Sequence, residues 1–289
     1  MRVAILGCGY VGLELGRQLT DAGHEVVGVR RSDAGLDAIE AAGFDAVRAD
    51  LTDATSLSAV PDADWLVYAA SAGGRGVDAA RAAYVDGLRT VVETFGERAS
   101  PPDRLVYTSS TGIYGDHDGA WVDESTTPDP ATERQRILLE AEGIALKADR
   151  LDGTVVRFGG LYGPDRYRLG YYLDCPVTEG YLNSIHRDDA AGAVAHLLET
   201  DRARGEVVLA VDDEPVSKWT FADWLADECD RPQPPKRTVE ERAEAGEVSR
   251  RVRANKRCAN DRLHELGYEL RYPTVWDGYR PAIDAFRDA

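Results

Sequence analysis

Short runs rich in apolar residues alternate with helical patterns along residues 1–211 of the chain. The runs predict strands, because a few consecutive apolar residues between polar ones suit a strand that is buried on both faces. These runs occupy residues 3–6, 25–29, 45–50, 64–70, 104–110, 153–158 and 206–211. The helical patterns between them occupy residues 11–22, 36–42, 78–98, 133–148 and 188–199. Strands and helices in this alternation predict βαβ units and a parallel sheet with helices on both faces.

The alternation weakens after residue 159, where tyrosines and loop-forming residues become frequent. We therefore expect an α/β protein with a doubly wound parallel sheet over residues 1–160 and a smaller, irregular substrate-binding region over residues 161–289. Residues 186–212 are expected to return to the sheet, since they contain a helix followed by another apolar run.

The first predicted strand runs directly into a glycine-rich loop, which reads Gly-Cys-Gly-Tyr-Val-Gly and opens the first helix. A G-x-G-x-x-G in this context is the fingerprint of a Rossmann-type dinucleotide-binding domain. The first glycine permits a tight turn, the second lets a pyrophosphate approach the backbone, and the third lets helix and strand pack closely. The open N–H groups of the helix would bind the phosphates. The residues expected to hold the cofactor here are Gly7, Gly9, Tyr10, Val11 and Gly12.

The end of the second predicted strand favours NADP over NAD. An NAD site places an Asp or Glu about 20 residues after the glycine loop, where it binds the ribose hydroxyls. Arg30 and Arg31 stand there instead, and two guanidinium groups can hold a 2′-phosphate. NADP is therefore the expected cofactor, with NAD as the second choice. In the alternative interpretation both arginines are surface charges and Asp33 serves an NAD ribose.

Two further strand ends are expected to line the cofactor. Asp50 and Leu51 follow the third strand, where Asp50 would accept a hydrogen bond from the adenine amino group or, alternatively, cap the next helix. Ala69, Ala70 and Ser71 end the fourth strand, and such small residues would let the ribose pass closely.

The charge of the chain excludes several kinds of partner. Its 289 residues include 51 acidic and 34 basic side chains, for a net charge of −17. Nucleic acid and anionic membranes would repel such a protein, and no run approaches the ~20 apolar residues of a membrane span. We therefore expect a cytoplasmic protein with a small-molecule substrate. Lysine is scarce, and we interpret the acidity as an adaptation to high internal salt.

The four cysteines, Cys8, Cys175, Cys229 and Cys258, show no short spacing. The sequence therefore predicts neither a zinc site nor a disulfide framework, and no bound metal is expected.

Four segments together resemble the extended short-chain dehydrogenase/reductase family, which includes sugar-nucleotide epimerases and dehydratases. They are GCGYVG at 7–12, TSSTGIYG at 108–115, VVRFGGLYGP at 155–164 and NSIHRDDAAGAV at 183–194. The resemblance implies a Rossmann domain followed by a substrate domain, with hydride transfer to or from a nicotinamide. It also implies that Thr108, Phe158, Gly159 and Gly160 lie near the cofactor, and it allows a homodimer formed through two long helices.

The family's catalytic set is a Ser or Thr together with a Tyr-x-x-x-Lys pair. The resemblance places Ser110 at the Ser position, where its hydroxyl would polarise the substrate oxygen; alternatively, Ser110 satisfies backbone groups at the strand end. The Tyr-x-x-x-Lys pair is missing, since no Tyr has a Lys four residues later. In one alignment Arg134 and Leu138 take the positions of the pair, and in the other Thr132 and Arg136 do.

An Arg cannot replace the Tyr as a proton carrier, because its guanidinium stays protonated. The candidates for this role in neighbouring loops are Tyr114, Tyr162, Asp116, His117 and His186. Tyr114, Tyr162 and His186 are also expected to contact the substrate. The sequence thus predicts an NAD(P)-dependent oxidoreductase, or an epimerase/dehydratase-like enzyme, that acts on a carbonyl or hydroxyl group of a small metabolite or sugar derivative. The alternative is a non-catalytic NADP-binding protein that senses redox state or stabilises a partner.

Overall fold

The computed structural model describes residues 1–74, 76–148, 150–246 and 255–288. Within these residues, seven parallel strands form the central sheet. They are β1 (Arg2–Leu6), β2 (Glu25–Arg30), β3 (Asp45–Arg48), β4 (Trp65–Tyr68), β5 (Arg104–Ser110), β7 (Asp152–Phe158) and β12 (Val207–Ala210). Their order across the sheet is β12-β7-β5-β4-β1-β2-β3.

Short strand pairs lie outside this sheet. β6 (Trp121–Val122) pairs with β15 (Arg257–Cys258), β8 (Gly160–Tyr162) with β11 (Ser184–His186), β9 (Val177–Thr178) with β14 (Lys236–Arg237), and β10 (Tyr181–Leu182) with β13 (Val216–Ser217). All except the last pair are parallel.

The helices of the described residues alternate with the sheet strands up to β12. They are α1 (Tyr10–Asp21), α2 (Asp33–Ala41), α3 (Ala54–Leu57), α4 (Val77–Arg81), α5 (Gly87–Gly96), α6 (Glu133–Leu146), α7 (Leu169–Asp174), α8 (Arg187–Glu199), α9 (Lys218–Glu228), α10 (Val239–Glu244), α11 (Asp261–Glu265), α12 (Val275–Gly278) and α13 (Arg280–Arg287). None of the described helices is long and apolar enough to cross a membrane.

Helices cover both faces of the sheet, which confirms the predicted doubly wound α/β fold. On one face, Leu88 of α5, Ile137 of α6 and Leu66 of the sheet belong to one buried core. On the other face, Leu15 of α1 and Val194 of α8 belong to a second core. Burial of apolar side chains on both faces is the main force that holds such layers together, at about 25 cal/mol per Å².

A third cluster of buried apolar residues lies in the C-terminal region. It contains Tyr162, Leu173, Phe221, Leu225, Val275, Tyr279 and Ile283. This cluster draws on β8, α7, α9, α12 and α13, so the irregular part of the chain has a core of its own.

The helix predicted over residues 78–98 is interrupted. A π turn at Ala82–Asp86 separates α4 from α5. The Tyr68 hydroxyl donates to the backbone oxygen of Ala83, and a Cβ on Gly87 would lie 2.5 Å from that hydroxyl. A side chain inserted against the helix in this way accounts for the extra residue in the turn.

Candidate functional site

The glycine loop is fixed between the carboxyl ends of β2 and β4. The backbone N–H groups of Gly7 and Cys8 both donate to the oxygen of Val29, at 3.1 Å. Gly7 has a φ of +80°, and a Cβ added there would lie 2.3 Å from Cα of Ala70. This position therefore requires glycine both for its backbone conformation and for its close approach to the next strand.

The start of α1 is open to an anion. Gly9 is the N-cap residue and supplies no side-chain cap, and the first turn contains no acidic residue. Gly12 packs on β1, where a Cβ would lie 3.0 Å from Cγ2 of Ile5, and Val11 is buried. The first N–H groups of the helix and the positive end of its dipole are thus available to a phosphate.

A groove of about 570 Å³ opens beside this loop. It brings together several residues predicted from the sequence, namely Gly7, Arg30, Arg31, Asp50, Leu51, Ala70 and Ser71. Sequence reasoning missed a second group of small lining residues, namely Gly73, Gly74, Ala79, Ala82 and Ala83. The run of small residues after β4 is the signal that indicates them.

The two arginines at the end of β2 have different surroundings. Arg31 forms an ion pair with Asp50, with Nη1 3.2 Å from Oδ2. The guanidinium of Arg30 instead lies over the glycine loop, with Nη1 3.0 Å from the position of a Cβ on Gly9. Among the described residues, no carboxylate or carbonyl oxygen accepts a hydrogen bond from Arg30. Arg30 is therefore the cation of this groove that is available to a ligand.

Asp33 does not support the alternative of an NAD ribose site, since its carboxylate pairs with Arg48 at the surface. Asp50 is held by local hydrogen bonds: its Oδ1 accepts from the backbone N and the hydroxyl of Thr52, at 3.0 and 2.8 Å. These bonds, the backbone one above all, hold the pKa of Asp50 below its usual value. The N-cap of α3 is Asp53, so the alternative that Asp50 caps this helix is wrong.

Three hydroxyls at the end of β5 have distinct partners. Thr108 Oγ1 donates to the backbone oxygen of Tyr68 at 3.3 Å, and Ser109 Oγ donates to Glu142 at 2.6 Å. Ser110 is half-buried, and its Oγ accepts from the backbone N of Gly112 at 3.1 Å. Ser110 thus caps the following turn, as the alternative interpretation expected, while its hydroxyl hydrogen has no acceptor among the described residues.

The ends of β4 and β7 are tied to neighbouring backbone. Ala69 N donates to the oxygen of Leu6 at 2.9 Å, and Gly159 N donates to the oxygen of Ala210 at 3.1 Å. Gly160 N donates to the oxygen of Asn183 at 2.6 Å, and Phe158 is buried. A Cβ on Gly159 would lie 2.7 Å from the Asn183 oxygen, so this glycine lets two chain segments approach closely.

Tyr10 connects α1 to the C-terminal region. Its hydroxyl donates to the backbone oxygen of Pro164 at 2.9 Å, and the guanidinium of Arg166 lies 4.2 Å from its ring centroid. Tyr10 is half-buried, and burial raises the pKa of its hydroxyl.

Two of the three residues expected to contact the substrate, both tyrosines, have hydroxyls that form hydrogen bonds within the protein. Tyr114 is fully buried, where its hydroxyl donates to the oxygen of Asp123 at 2.7 Å and accepts from Arg157 at 2.6 Å. Burial raises the pKa of Tyr114 to about 12. Tyr162 is 3% exposed and its hydroxyl donates to the oxygen of Thr274 at 3.3 Å. The structure thus places both tyrosines in the protein core, because the turn after Ser110 and the aromatic C-terminal cluster enclose them.

His186 precedes α8 and caps it, with Nδ1 accepting from the backbone N of Asp188 at 3.2 Å. The side chain is 1% exposed and lies among tyrosine rings, the nearest being Tyr272 with centroids 3.9 Å apart. Burial lowers the pKa of His186 to about 4. Nε2 is buried and has no partner among the described residues.

Neither alignment of α6 restores the missing pair. Thr132 is the N-cap of the helix, Arg136 pairs with Glu133, and Leu138 is buried. Arg134 is the exception, because it donates to the hydroxyl of a tyrosine that sequence reasoning did not single out, Tyr84.

Comparisons with known proteins agree with this geometry. A family model described as NAD(P)H-binding matches residues 7–201. The chain is 30% identical over 208 residues to Protein YeeZ of Escherichia coli, which covers 70% of this chain and 74% of YeeZ.

Two solved structures are similar over nearly the whole chain. One is a protein from Methylobacillus flagellatus whose name places it among the NAD-dependent epimerases and dehydratases. It is 30% identical to this chain, with a TM-score of 0.79, and the match covers 99% of this chain and 98% of that protein. A human epimerase family protein solved with NADPH has a TM-score of 0.79 over 100% of this chain and 99% of its own. At 18% identity, the second likeness supports the fold alone.

Proposed function

Because the chain belongs to the NAD(P)H-binding family and has the fold of the extended short-chain dehydrogenases/reductases, we propose that it is an NADP-dependent oxidoreductase. It would act on a carbonyl or hydroxyl group of a small metabolite or sugar derivative. The epimerase/dehydratase-like chemistry that is also expected from the sequence would use the same cofactor site and would differ in the product that is formed from the substrate.

The residues present fit a dinucleotide. Gly9 leaves the backbone open beside the Arg30 guanidinium, and α1 begins there without a side-chain cap. The single observation that carries the choice of NADP is the Arg30 guanidinium, which lies over Gly9 without a partner among the described residues. A 2′-phosphate would supply the missing anion, and charge-assisted bonds of this kind are strong.

When bound, the cofactor supplies a hydride. The residues of the chain would bind and orient the reactants: Arg30 the 2′-phosphate, the start of α1 the pyrophosphate, and Ser110 the substrate oxygen. Because Ser110 Oγ already accepts from Gly112, its hydrogen is directed elsewhere and can stabilise negative charge on that oxygen.

A second candidate function is a non-catalytic NADP-binding sensor or partner-stabilising protein. The observation that favours it is the absence of a Tyr-x-x-x-Lys pair, since α6 carries Arg134 and Leu138, or Thr132 and Arg136, at those positions. Such a protein would bind the cofactor by the same residues without turnover.

Titration with NADPH and NADH tests the cofactor assignment. We expect Arg30→Ser to weaken NADPH binding by about 1.5–3 kcal/mol, the scale of a hydrogen bond to a charged group, with little change for NADH. Arg17→Ser is the matched control, because it removes an exposed arginine of α1 that pairs with Glu14. Equal losses for both cofactors in Arg30→Ser would contradict the assignment.

Turnover separates the two candidate functions. NADPH oxidation is followed with a panel of aldehydes, ketones and keto sugars at low and at molar KCl. An enzyme should reduce at least one class, and Ser110→Ala should slow that reaction by about 100-fold. NADPH binding without turnover of any compound would favour the sensor.

A further inference from the structure

The hydroxyl oxygen of Tyr84, in the π turn between α4 and α5, accepts two hydrogen bonds. Arg134 Nη2 lies 3.0 Å from this oxygen, and the backbone N of Ala72 lies 3.4 Å from it. The guanidinium carbon of Arg134 also lies 5.5 Å from the centroid of the Tyr84 ring. Since both contacts use the oxygen as acceptor, the hydroxyl hydrogen is free, and none of the described residues accepts it.

Tyr84 borders the groove assigned to the cofactor. Ala82 and Ala83, which precede it, line the groove directly, as does Ser71, which precedes Ala72. Tyr84 is only 8% exposed, so most of the residue is shielded from water. Electrostatic interactions are stronger in such surroundings than in water.

Tyr84 and Ser110 are connected through the first turn of α6. Gln135 Nε2 donates to the backbone oxygen of Gly112 at 2.7 Å, and the N–H of the same Gly112 donates to Ser110 Oγ. Arg134, adjacent to Gln135, donates to Tyr84. One turn of helix therefore contacts the Tyr84 hydroxyl directly and the Ser110 hydroxyl through Gly112; Ser110 ends β5, and Tyr84 lies in the segment after its neighbour β4.

Each of the other candidate proton carriers has at least one acid–base atom engaged within the structure. The hydroxyls of Tyr114 and Tyr162 donate to backbone oxygens. His117 Nε2 contacts a backbone oxygen at 2.9 Å, and His186 Nδ1 caps a helix. Asp116 accepts two backbone N–H groups. Tyr84 differs from the two tyrosines in having an uncommitted hydroxyl hydrogen, and from His186, whose Nε2 is also uncommitted, in following residues that line the groove.

We propose that Tyr84 is the catalytic proton carrier of the reduction proposed above and that Arg134 is its positioning residue. This inference rests on the proposed function, because a proton is needed only if a carbonyl is reduced. The bound cofactor would supply a hydride to the carbonyl carbon, and the C=O π electron pair would move to oxygen. The Oη–H bond of Tyr84 breaks, its proton bonds to that oxygen, and the electron pair stays on Oη. Water then returns a proton to Oη.

The charge of Arg134 explains how Tyr84 can release its proton. A guanidinium stays protonated throughout, so Arg134 itself carries no proton. Its fixed positive charge, 3.0 Å from Oη, stabilises the phenolate that forms, as does the N–H of Ala72. The tyrosine and the cation come from two helices, so no four-residue spacing between them is needed.

Tyr84→Phe removes the hydroxyl and keeps the ring. We expect kcat for the best carbonyl compound to fall about 100-fold or more, while KM, NADPH affinity and the unfolding temperature stay near wild type. Tyr107→Phe is the matched control, because it removes a buried tyrosine hydroxyl that has no hydrogen-bond partner among the described residues. This control should keep wild-type turnover. A Tyr84→Phe protein that turns over like Tyr107→Phe would overturn the proposal.

Substitution of Arg134 tests the positioning role. Arg134→Lys keeps the charge and should retain much of kcat, whereas Arg134→Gln should lose about tenfold or more with little change in KM. Equal kcat values for the two variants would overturn the role of the charge.

A spectroscopic readout does not require turnover. 3-Fluorotyrosine at position 84 should give a ¹⁹F resonance that moves when NADP and the product alcohol are both bound, and that does not move with NADP alone. A resonance that ignores the alcohol would overturn the assignment.

The outcomes also separate this inference from the proposed function. A wild-type protein that binds NADPH but reduces nothing would overturn the role of Tyr84 and leave the cofactor site intact. A protein that binds neither NADPH nor NADH would overturn both.

Discussion

Arg157 and Glu142 form a two-point ion pair in the core, where the guanidinium Nη2 and Nε lie 2.7 and 3.0 Å from the carboxylate oxygens. Their side chains are 5% and 3% exposed. Ser109 Oγ donates to the same carboxylate at 2.6 Å, and Tyr114 accepts from the same guanidinium. The pair therefore joins α6 to β7, Ser109 connects it to β5 one residue before Ser110, and together they fix the helix whose first turn carries Arg134.

Loss of this carboxylate should destabilise the protein strongly. We expect Glu142→Gln to lower the free energy of unfolding by about 3–5 kcal/mol, because it leaves the Arg157 charge buried without its partner. Glu140→Gln is the control on the same helix, since its exposed carboxylate pairs with Arg81 at 3.0 Å. That change should cost at most about 1 kcal/mol. Denaturant unfolding measures both, and similar losses for the two variants would show that burial does not set the cost.

The glycine loop offers a second test, based on two glycines with similar backbones and different neighbours. Gly7 and Gly23 have φ values of +80° and +88°, but a Cβ on Gly23 would meet nothing within 4 Å. Gly23→Ala should therefore cost only about 1 kcal/mol of stability and leave cofactor binding unchanged. Gly7→Ala should displace the loop from Ala70 and weaken both NADPH and NADH by about tenfold or more, an affinity change of 1.4 kcal/mol per factor of ten. Fluorescence titration measures the affinities, and a Gly7→Ala protein with wild-type affinity would contradict the assignment of the loop.

The nucleotide half of the fold could be predicted because its signals are local. Each apolar run of the first half corresponds to a sheet strand, and the glycine loop follows β1 as the motif requires. The break in the helix over residues 78–98 could not be predicted in this way. It arises from the contact of Tyr68 with Ala83 and Gly87, which the chain brings together only when the helix packs on the sheet.

The candidate site was predictable in position but not in detail. Arg30 and Arg31 are adjacent in the sequence, and only tertiary contacts distinguish them: Arg31 pairs with Asp50, whereas the Arg30 guanidinium lies over Gly9. Tyr84 and Arg134 are 50 residues apart, so no spacing rule connects them. Tertiary contacts of this kind decide which charged or hydroxyl group is left available to a ligand.

His186 predicts how stability responds to acid. Its pKa is about 4 in the folded protein, against 6.5 for a free histidine, because burial disfavours the charged form. The unfolded chain therefore takes up a proton that the folded protein does not, and stability is lost as the pH falls from 6.5 towards 4. His186→Asn keeps a helix-capping side chain and should reduce this loss by about 1–3 kcal/mol.

Denaturant unfolding at pH 7 and at pH 4.5 measures the effect. His264→Asn, a change at an exposed histidine, is the control. Between pH 7 and pH 4.5 this variant should lose more stability than His186→Asn does. An unchanged loss in His186→Asn would show that this histidine is not buried in its neutral form.

Asp212 predicts a pH dependence of the opposite sign. The residue follows β12 and is 2% exposed, and neither buried carboxylate oxygen has a hydrogen bond of ordinary geometry among the described residues. Burial raises its pKa well above the usual 3.8, so the folded protein holds a proton that the unfolded chain releases above that pH. Stability contributed by this proton is complete below pH 3.8 and is lost as the pH rises through the pKa of the folded state.

Asp212→Asn replaces the carboxyl with a neutral group of similar size and removes this dependence. As the pH rises from 4.5 to 7.5, we expect the variant to gain about 1 kcal/mol or more of unfolding free energy relative to wild type. This is roughly the change that one bound proton causes over one pH unit. Asp227→Asn, at an exposed position of α9, controls for the change in net charge. Because all other titrating groups are common to variant and wild type, their contributions cancel in the difference at each pH. A difference that stays constant between these two pH values would mean that Asp212 is already ionised in the folded protein, and that water or a ligand satisfies its two oxygens.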